Sequence, residues 1–167
     1  MRFVKPAALL IAVVAAAGAP ALAADVGFRG WGPRFGVSDD PDQVLGGVQF
    51  DLGEFAKHVR WQPSVEVGAG DDKISLFGNF MVSYYFPVDA AVTPYAGAQV
   101  SAWFFNNDRD PNDNNDEFDD GFNTEINLHA IGGIETRLKS GNRFLAELAV
   151  GVDGNPDFKV MVGWIFK

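Results

Sequence analysis

A run of acidic and amide side chains between residues 106 and 121, NNDRDPNDNNDEFDDG, has the spacing of a calcium-binding loop. Calcium loops of the EF-hand kind take oxygen ligands from positions 1, 3, 5, 7, 9 and 12. Those positions hold Asp108, Asp110, Asn112, Asn114, Asp116 and Asp119. Position 6, where a glycine makes the sharp turn, holds Asp113 instead. A calcium site is one interpretation. The others are a solvated surface loop extended by its own charge, and weak divalent binding near an anionic lipopolysaccharide surface.

A second group of ionisable side chains lies in segments where polar and apolar residues alternate. All of its members fall on the polar positions of that alternation. Its members are Asp51, Glu66, Glu125, His129, Glu135, Arg137, Glu147 and Lys159. Mixed signs on one face indicate side chains that pair with one another, so we predict a charge network inside a lumen. We expect Arg137 and Lys159 to be its cationic centres. Their expected partners are Glu66, Glu135 and Glu147, and a proton or ion path through the same residues is the alternative.

The segments that carry these charges have the period of long β-strands. In EINLHAIGGIETRL, residues 125–138, one parity is apolar and the other mostly polar. This alternation is much longer than the roughly 5–6 residues of a usual strand. Six further segments alternate in the same way, and a glycine-rich opening segment of unclear parity completes eight strand candidates. Their connections alternate between strongly acidic and plain, which places all the acidic ones at one end of a meander.

Eight strands joined as successive hairpins predict an all-β, eight-stranded antiparallel up-and-down transmembrane β-barrel. The apolar face would line the interior of a soluble barrel, but it would face lipid in an outer-membrane barrel. Mixed charges on the polar face and strands that can span about 9–11 tilted residues favour the membrane barrel. So do aromatic residues near strand ends, namely Tyr84, Phe86, Phe104, Trp164 and Phe166. Side chains just fill a lumen of this size, and we therefore expect a plugged interior.

The N-terminal stretch MRFVKPAALLIAVVAAAGAPALAAD predicts a secretory signal peptide over residues 1–23, followed by a barrel domain over residues 24–167. A membrane-spanning helix is the alternative, but the apolar run is shorter than a span of about 20 residues. The formal net charge of −9 would become −11 once Arg2 and Lys5 were removed, which disfavours a nucleic-acid partner. The chain has no cysteine, so a disulfide scaffold is excluded.

The sequence resembles the small outer-membrane β-barrels of the opacity-protein and OmpA-barrel type. The segments that carry the resemblance are TPYAGAQV, LHAIGGIETRL, FLAELAVGV and the terminal VMVGWIFK. The resemblance implies a place in the cell outer membrane of a Gram-negative envelope, with periplasmic termini and extracellular acidic loops. It also implies that the barrel-assembly machinery recognises an aromatic residue at the end of the last strand, here Phe166.

His129 is the residue to test for catalysis, because lipid A deacylases are similar small barrels. They carry a His-x-Ser-Asn motif in which the serine is the nucleophile and the histidine its base. The corresponding segment here is His129-Ala130-Ile131-Gly132, so an isoleucine stands in place of the serine. Without a nucleophile the Ser–His mechanism fails, and we expect no enzymatic activity. We interpret His129 as a lumen side chain bonded to a carboxylate such as Glu125 or Glu135.

The sequence therefore predicts a monomeric, non-enzymatic surface barrel with a structural or interaction role, as a surface antigen would have. Its expected partners are outer-membrane lipid, lipopolysaccharide, the assembly machinery and an extracellular or envelope protein. No cofactor is expected other than calcium, which the loop at residues 106–121 would bind if the calcium interpretation holds. Two rival functions are a lipid-modifying outer-membrane enzyme and a soluble periplasmic barrel that binds a small apolar ligand.

Overall fold

Long antiparallel strands make up nearly all of the structure. The computed structural model describes residues 25–70, 73–105, 123–153 and 156–167. Over these ranges there is no helix long and apolar enough to cross a membrane. The strands are β1 Asp25–Asp39, β2 Gln43–Ala56, β3 Val59–Trp61, β4 Ser64–Gly70, β5 Lys73–Tyr85, β6 Val92–Phe105, β7 Asn123–Arg137, β8 Arg143–Asp153 and β9 Phe158–Ile165.

The sheet closes on itself through its first and last strands. Strand β1 pairs along one edge with β2 and along the other with β9, where Arg34–Asp39 face Gly163–Phe158. Segments β3 and β4 both lie between β2 and β5, so together they form one strand of the barrel. The predicted eight-stranded antiparallel barrel is confirmed, and closure leaves no long unpaired edge to attract other chains.

The third barrel strand differs from its prediction as one continuous segment. It is interrupted between Trp61 and Ser64 because Pro63 has no backbone N–H to give to the ladder. The pairing continues around the break, since the Gln62 N–H donates to the Met81 carbonyl at 2.9 Å and the Pro63 carbonyl accepts from Phe50 N–H at 2.9 Å. The strand therefore keeps its register against β5, although its register against β2 shifts, and the side chains on both sides of the break keep their facing.

The two ends of the barrel differ in charge. We call the loop end the one that carries the connections after β1, β4, β6 and β8. We call the termini end the one that carries Asp25, Lys167 and the remaining turns. The described connections of the loop end carry the acidic residues Asp40, Asp42 and Asp157, and Asp39 ends the adjoining strand β1. Turns at the termini end contribute Lys57 and Lys139, with Asp89 as their acidic residue.

The distribution of side chains is inverted relative to a water-soluble protein. Among the described residues, 19 polar or charged side chains are buried against 12 apolar ones. In contrast, 26 large apolar side chains are exposed, and outward-facing examples are Val44, Ile74 and Ile126, each at least 68% exposed. Soluble monomers rarely show apolar patches larger than a few hundred Å². Alternation along each strand therefore points polar residues into the lumen and apolar residues outward.

Strand β1, whose parity the sequence leaves unclear, follows the same rule. Its inward positions are mostly glycine, with Arg34 and Ser38 as the larger buried side chains, and Trp31, Phe35 and Val37 are exposed on the outer face. At Gly32, a Cβ atom would collide with the backbone carbonyl of Trp164 on β9. The absence of a side chain there lets β1 and β9 approach closely where the barrel closes.

Candidate functional site

The centre of the lumen holds a buried cluster around Arg34. The Arg34 Nη2 donates to Glu147 Oε1 at 2.8 Å, and its Nη1 donates to Ser64 Oγ at 3.2 Å. Its Nε lies 3.1 Å from Glu66 Oε1, within ion-pair distance although the angle is not that of a hydrogen bond. Tyr95 Oη donates to the second Glu147 oxygen at 3.0 Å. Strands β1, β4, β6 and β8 are thus tied together across the barrel.

Lys159 extends this cluster toward the loop end. Its Nζ lies 3.3 Å from Glu66 Oε2, so Glu66 is shared between two cations. The same ammonium sits 3.9 Å from the centroid of the Phe77 ring, in cation–π geometry. Phe77 stacks on Trp103, and Trp103 stacks on Phe105, with centroid separations of 5.8 and 4.1 Å. An aromatic layer therefore lies above the charges on the loop side.

A second ion-pair cluster lies toward the termini end. Arg143 forms ion pairs with Asp51 and with Glu135, the latter at 3.3 Å. Arg60 Nη1 donates to both oxygens of Glu135, each at 3.1 Å. The Arg60 guanidinium also lies 4.1 Å from the centroid of the Tyr85 ring. Charge-assisted bonds of this kind orient both partners, so this end of the lumen is held by a fixed polar layer.

The predicted network residues fall into two groups. Six are buried inside the barrel, namely Asp51, Glu66, His129, Glu135, Glu147 and Lys159. Glu125 and Arg137 are exposed near opposite ends of β7. The expectation that Arg137 is a cationic centre is wrong, because as the last residue of β7 it lies at the rim. In the described part of the chain, Arg34, Arg60 and Arg143 make the arginine ion pairs of the lumen.

Two of these arginines could have been assigned to the lumen from the sequence pattern. Arg60 has the same strand parity as Glu66, and Arg143 has the same parity as Glu147, so each could have been assigned to the polar face. Arg34 had no such signal, because its glycine-rich neighbours blur the alternation that identifies facing.

His129 is fully buried, but its neighbours differ from the carboxylates expected from the sequence. Its Nε2 lies 3.3 Å from the Pro156 carbonyl oxygen, and its Nδ1 lies 3.5 Å from Ser101 Oγ. Because a carbonyl can only accept, the proton belongs on Nε2. The Ser101 hydroxyl donates to Asn79 Oδ1 at 2.6 Å. This serine therefore gives its hydroxyl proton to an amide at the shorter distance rather than to the histidine, and both side chains are fully buried, out of reach of a lipid outside the wall.

Metal-ligating groups do not converge in the described part of the chain, where no cluster of three or more His, Cys, Asp or Glu could hold an ion. The six residues of the proposed calcium loop, Asp108 to Asp119, lie outside the described residues, as does the predicted signal peptide over residues 1–23. The calcium site and the signal peptide stay predictions.

The lumen is filled beside Arg34 and opens at the termini end. The space beside Arg34, Gln49 and Glu147 has no volume for a water molecule. A cavity of about 380 Å³ opens at the termini end, above the Arg143–Asp51 pair. A groove of about 540 Å³ lies at the rim of the loop end, where Val44 and Phe158 line it.

Comparisons with known proteins identify the fold. No protein-family model matches the chain, and no curated protein matches it in sequence. Among solved structures, the chain is similar to Neisserial surface protein A, with a TM-score of 0.62 and 14% sequence identity. That match covers 83% of this chain and 94% of the other. It also aligns with the de novo designed TMB2.3 at 12% identity, over 86% and 98% of the two chains, but the TM-score of 0.48 supports no argument. The resemblance to small barrels expected from the sequence is confirmed at the level of fold.

Proposed function

We propose that the chain is a non-enzymatic integral outer-membrane β-barrel with a structural or surface-interaction role. The observation that carries this proposal is the inverted distribution of side chains, with ion pairs inside and apolar side chains outside. An apolar outer surface of this extent is stable in the hydrocarbon region of a lipid bilayer. A closed barrel can lie there because its backbone N–H and C=O groups are hydrogen-bonded between strands. The likeness in fold to Neisserial surface protein A is consistent with this proposal.

Pairs of aromatic rings on the outer surface near the termini end support a membrane interface there. Trp61 and Phe80 have ring centroids 5.3 Å apart, and Phe144 and Trp164 are 5.1 Å apart. Trp31 with Phe166, and Tyr84 with Phe86, form further pairs on the same part of the barrel. Aromatic residues form girdles at both membrane interfaces of outer-membrane barrels. This belt would lie in the periplasmic leaflet.

The acidic loop end would then face the outside of the cell. Carboxylates there repel the anionic lipopolysaccharide unless divalent cations bridge them, so we propose contacts with ions, envelope components or an extracellular protein. The calcium-loop spacing at Asp108–Asp119 belongs to this proposal. Calorimetric titration of refolded protein with calcium, against an Asp108→Asn/Asp110→Asn variant, tests it. Saturable binding near one equivalent that is lost in the variant would support a site, and weak unsaturable binding would argue against it.

A lipid-modifying activity is disfavoured by the placement of the Ser–His contact. A nucleophile for lipid A must reach the outer surface of the barrel, whereas Ser101 and His129 lie in the lumen. Mass spectrometry of lipid A from cells that express the protein is the direct test. An unchanged acylation pattern is expected, and a loss of an acyl chain that depends on the protein would overturn the non-enzymatic assignment.

Cysteine labelling in a Gram-negative host tests the location and the orientation together, because the chain has no native cysteine. Asp42→Cys places a thiol at the exposed loop end, and Ser140→Cys places one in an exposed turn at the termini end. We expect a membrane-impermeant maleimide to label only Asp42→Cys in intact cells and both variants in lysed cells. Label on Ser140→Cys alone would reverse the orientation. Recovery of the protein in the soluble periplasmic fraction would favour the ligand-binding barrel.

A further inference from the structure

The cavity at the termini end is lined mainly by charged side chains. Five cationic side chains line it, contributed by β1, β3, β7, β8 and the last residue, and three carboxylates oppose them. We call this cavity the vestibule. Its volume of about 380 Å³ is enough for a small ligand. Its floor is the Arg143 ion-pair layer, which separates it from the filled centre of the lumen.

The charges of the vestibule are not all neutralised. Arg143 is satisfied by Asp51 and Glu135, and Arg60 by Glu135 and by Glu54 at 3.7 Å. Arg29 pairs with Asp25 at the exposed edge. Arg137 and Lys167 also line the cavity but make no ion pair within the described ranges. With Glu135 counted, the five cationic side chains face four carboxylates, so the side chains of the vestibule carry a positive excess of one, although the chain as a whole carries a net charge of −9.

We propose that the vestibule binds a small anion that carries a phosphate group. A cleft whose lining has an excess of positive side chains favours anions, and arginine recognises phosphate through paired hydrogen bonds. The side chain that carries the proposal is Arg137, because its guanidinium is not committed to a carboxylate in the described structure. The source of the phosphate would be either a soluble periplasmic anion or the headgroup of a phospholipid at the barrel rim. That the vestibule opens to the periplasm rests on the proposed function. The cavity itself does not, since it is a feature of the folded barrel.

The test uses the mature chain refolded in dodecyl maltoside micelles, which carry no charge. Inorganic phosphate is titrated and followed by calorimetry at constant ionic strength, with sodium chloride as the matched salt. The test variant is Arg137→Gln. Its control is Lys139→Gln, which removes the same charge two residues away in an exposed turn that does not line the vestibule. We expect saturable binding, a Kd raised by about fivefold or more in Arg137→Gln, and less than about a twofold change in Lys139→Gln.

A parallel titration with short-chain phosphatidylglycerol distinguishes the two sources. Binding of both probes supports a site for soluble phosphate, and saturable binding of the lipid alone, weakened in Arg137→Gln, supports a headgroup site. The inference is overturned if neither probe saturates, if chloride produces the same heat, or if both variants weaken binding equally. The outcome is independent of the cellular location, because folding in micelles is verified separately by the shift of the unheated band on a gel.

Discussion

Arg34 is the residue whose loss we expect to be most costly in the lumen. Its side chain is 3% exposed and compensates Glu66 and Glu147, whose side chains are 1% and 5% exposed. An Arg34→Gln substitution would leave these carboxylates with only Lys159 as a nearby cation. Removing one partner of a buried ion pair typically costs about 3–5 kcal/mol. Urea unfolding in lipid vesicles should show a loss of this order in the free energy of unfolding.

The matched control at the residue scale is Arg29→Gln. Arg29 and its partner Asp25 are 47% and 76% exposed, so water already screens their attraction. A pair of this kind contributes at most about 1 kcal/mol. Equal losses in the two variants would show that the Arg34 cluster is not the electrostatic centre of the lumen. The position of Arg34 in the lumen was also the hardest to predict from the sequence. The side of a strand on which a residue lies is inferred from the alternation of its neighbours, and the glycines beside Arg34 carry no side chains that could show it.

At the scale of the strands, the closure between β1 and β9 depends on glycine. A Cβ at Gly32 would fall inside van der Waals distance of the Trp164 backbone carbonyl, and backbone cannot move aside as a flexible side chain can. Gly32→Ala should therefore destabilise the barrel by about 1–3 kcal/mol or more. Gly132→Ala is the control, because a Cβ there meets nothing within 4 Å. Heat-modifiable mobility and urea unfolding should change for the first variant and not for the second.

Existence and facing of most strands could be predicted from the sequence, but their closure could not. Alternation with a period of two predicts a strand because the side chains that share a buried face must be chemically alike, and this condition holds in the described strands after β1. The closure between β1 and β9 depends on how closely the two backbones approach. The sequence carries no sign of that distance beyond the glycines of β1. The break at Pro63 was visible as a residue type, yet its consequence depended on where neighbouring carbonyls lie.

For the whole molecule, tryptophan fluorescence distinguishes an inverted barrel from a soluble one. Trp31, Trp61 and Trp164 belong to the outer belt, while Trp103 is only 4% exposed and lies in the lumen. Lipids with brominated acyl chains should quench most of the emission of the protein. A variant with phenylalanine at the three outer positions should retain emission that these lipids quench little. Unquenched emission of the unaltered protein in such vesicles would contradict a lipid-facing surface.

The filled lumen leads to the last prediction, that the barrel does not conduct ions. The central charges lie between two apolar layers, one around Met81, Tyr85 and Ile131 and the other around Phe77 and Trp103. An ion that crosses would lose its hydration in these layers without gaining a partner, since the Arg34 cluster is already satisfied. We expect no stable single-channel steps in planar bilayers that contain verified folded protein. Stable, nonselective conductance would show that the ion pairs open readily, and the lumen would then be a pore closed only by movable side chains rather than a solid interior.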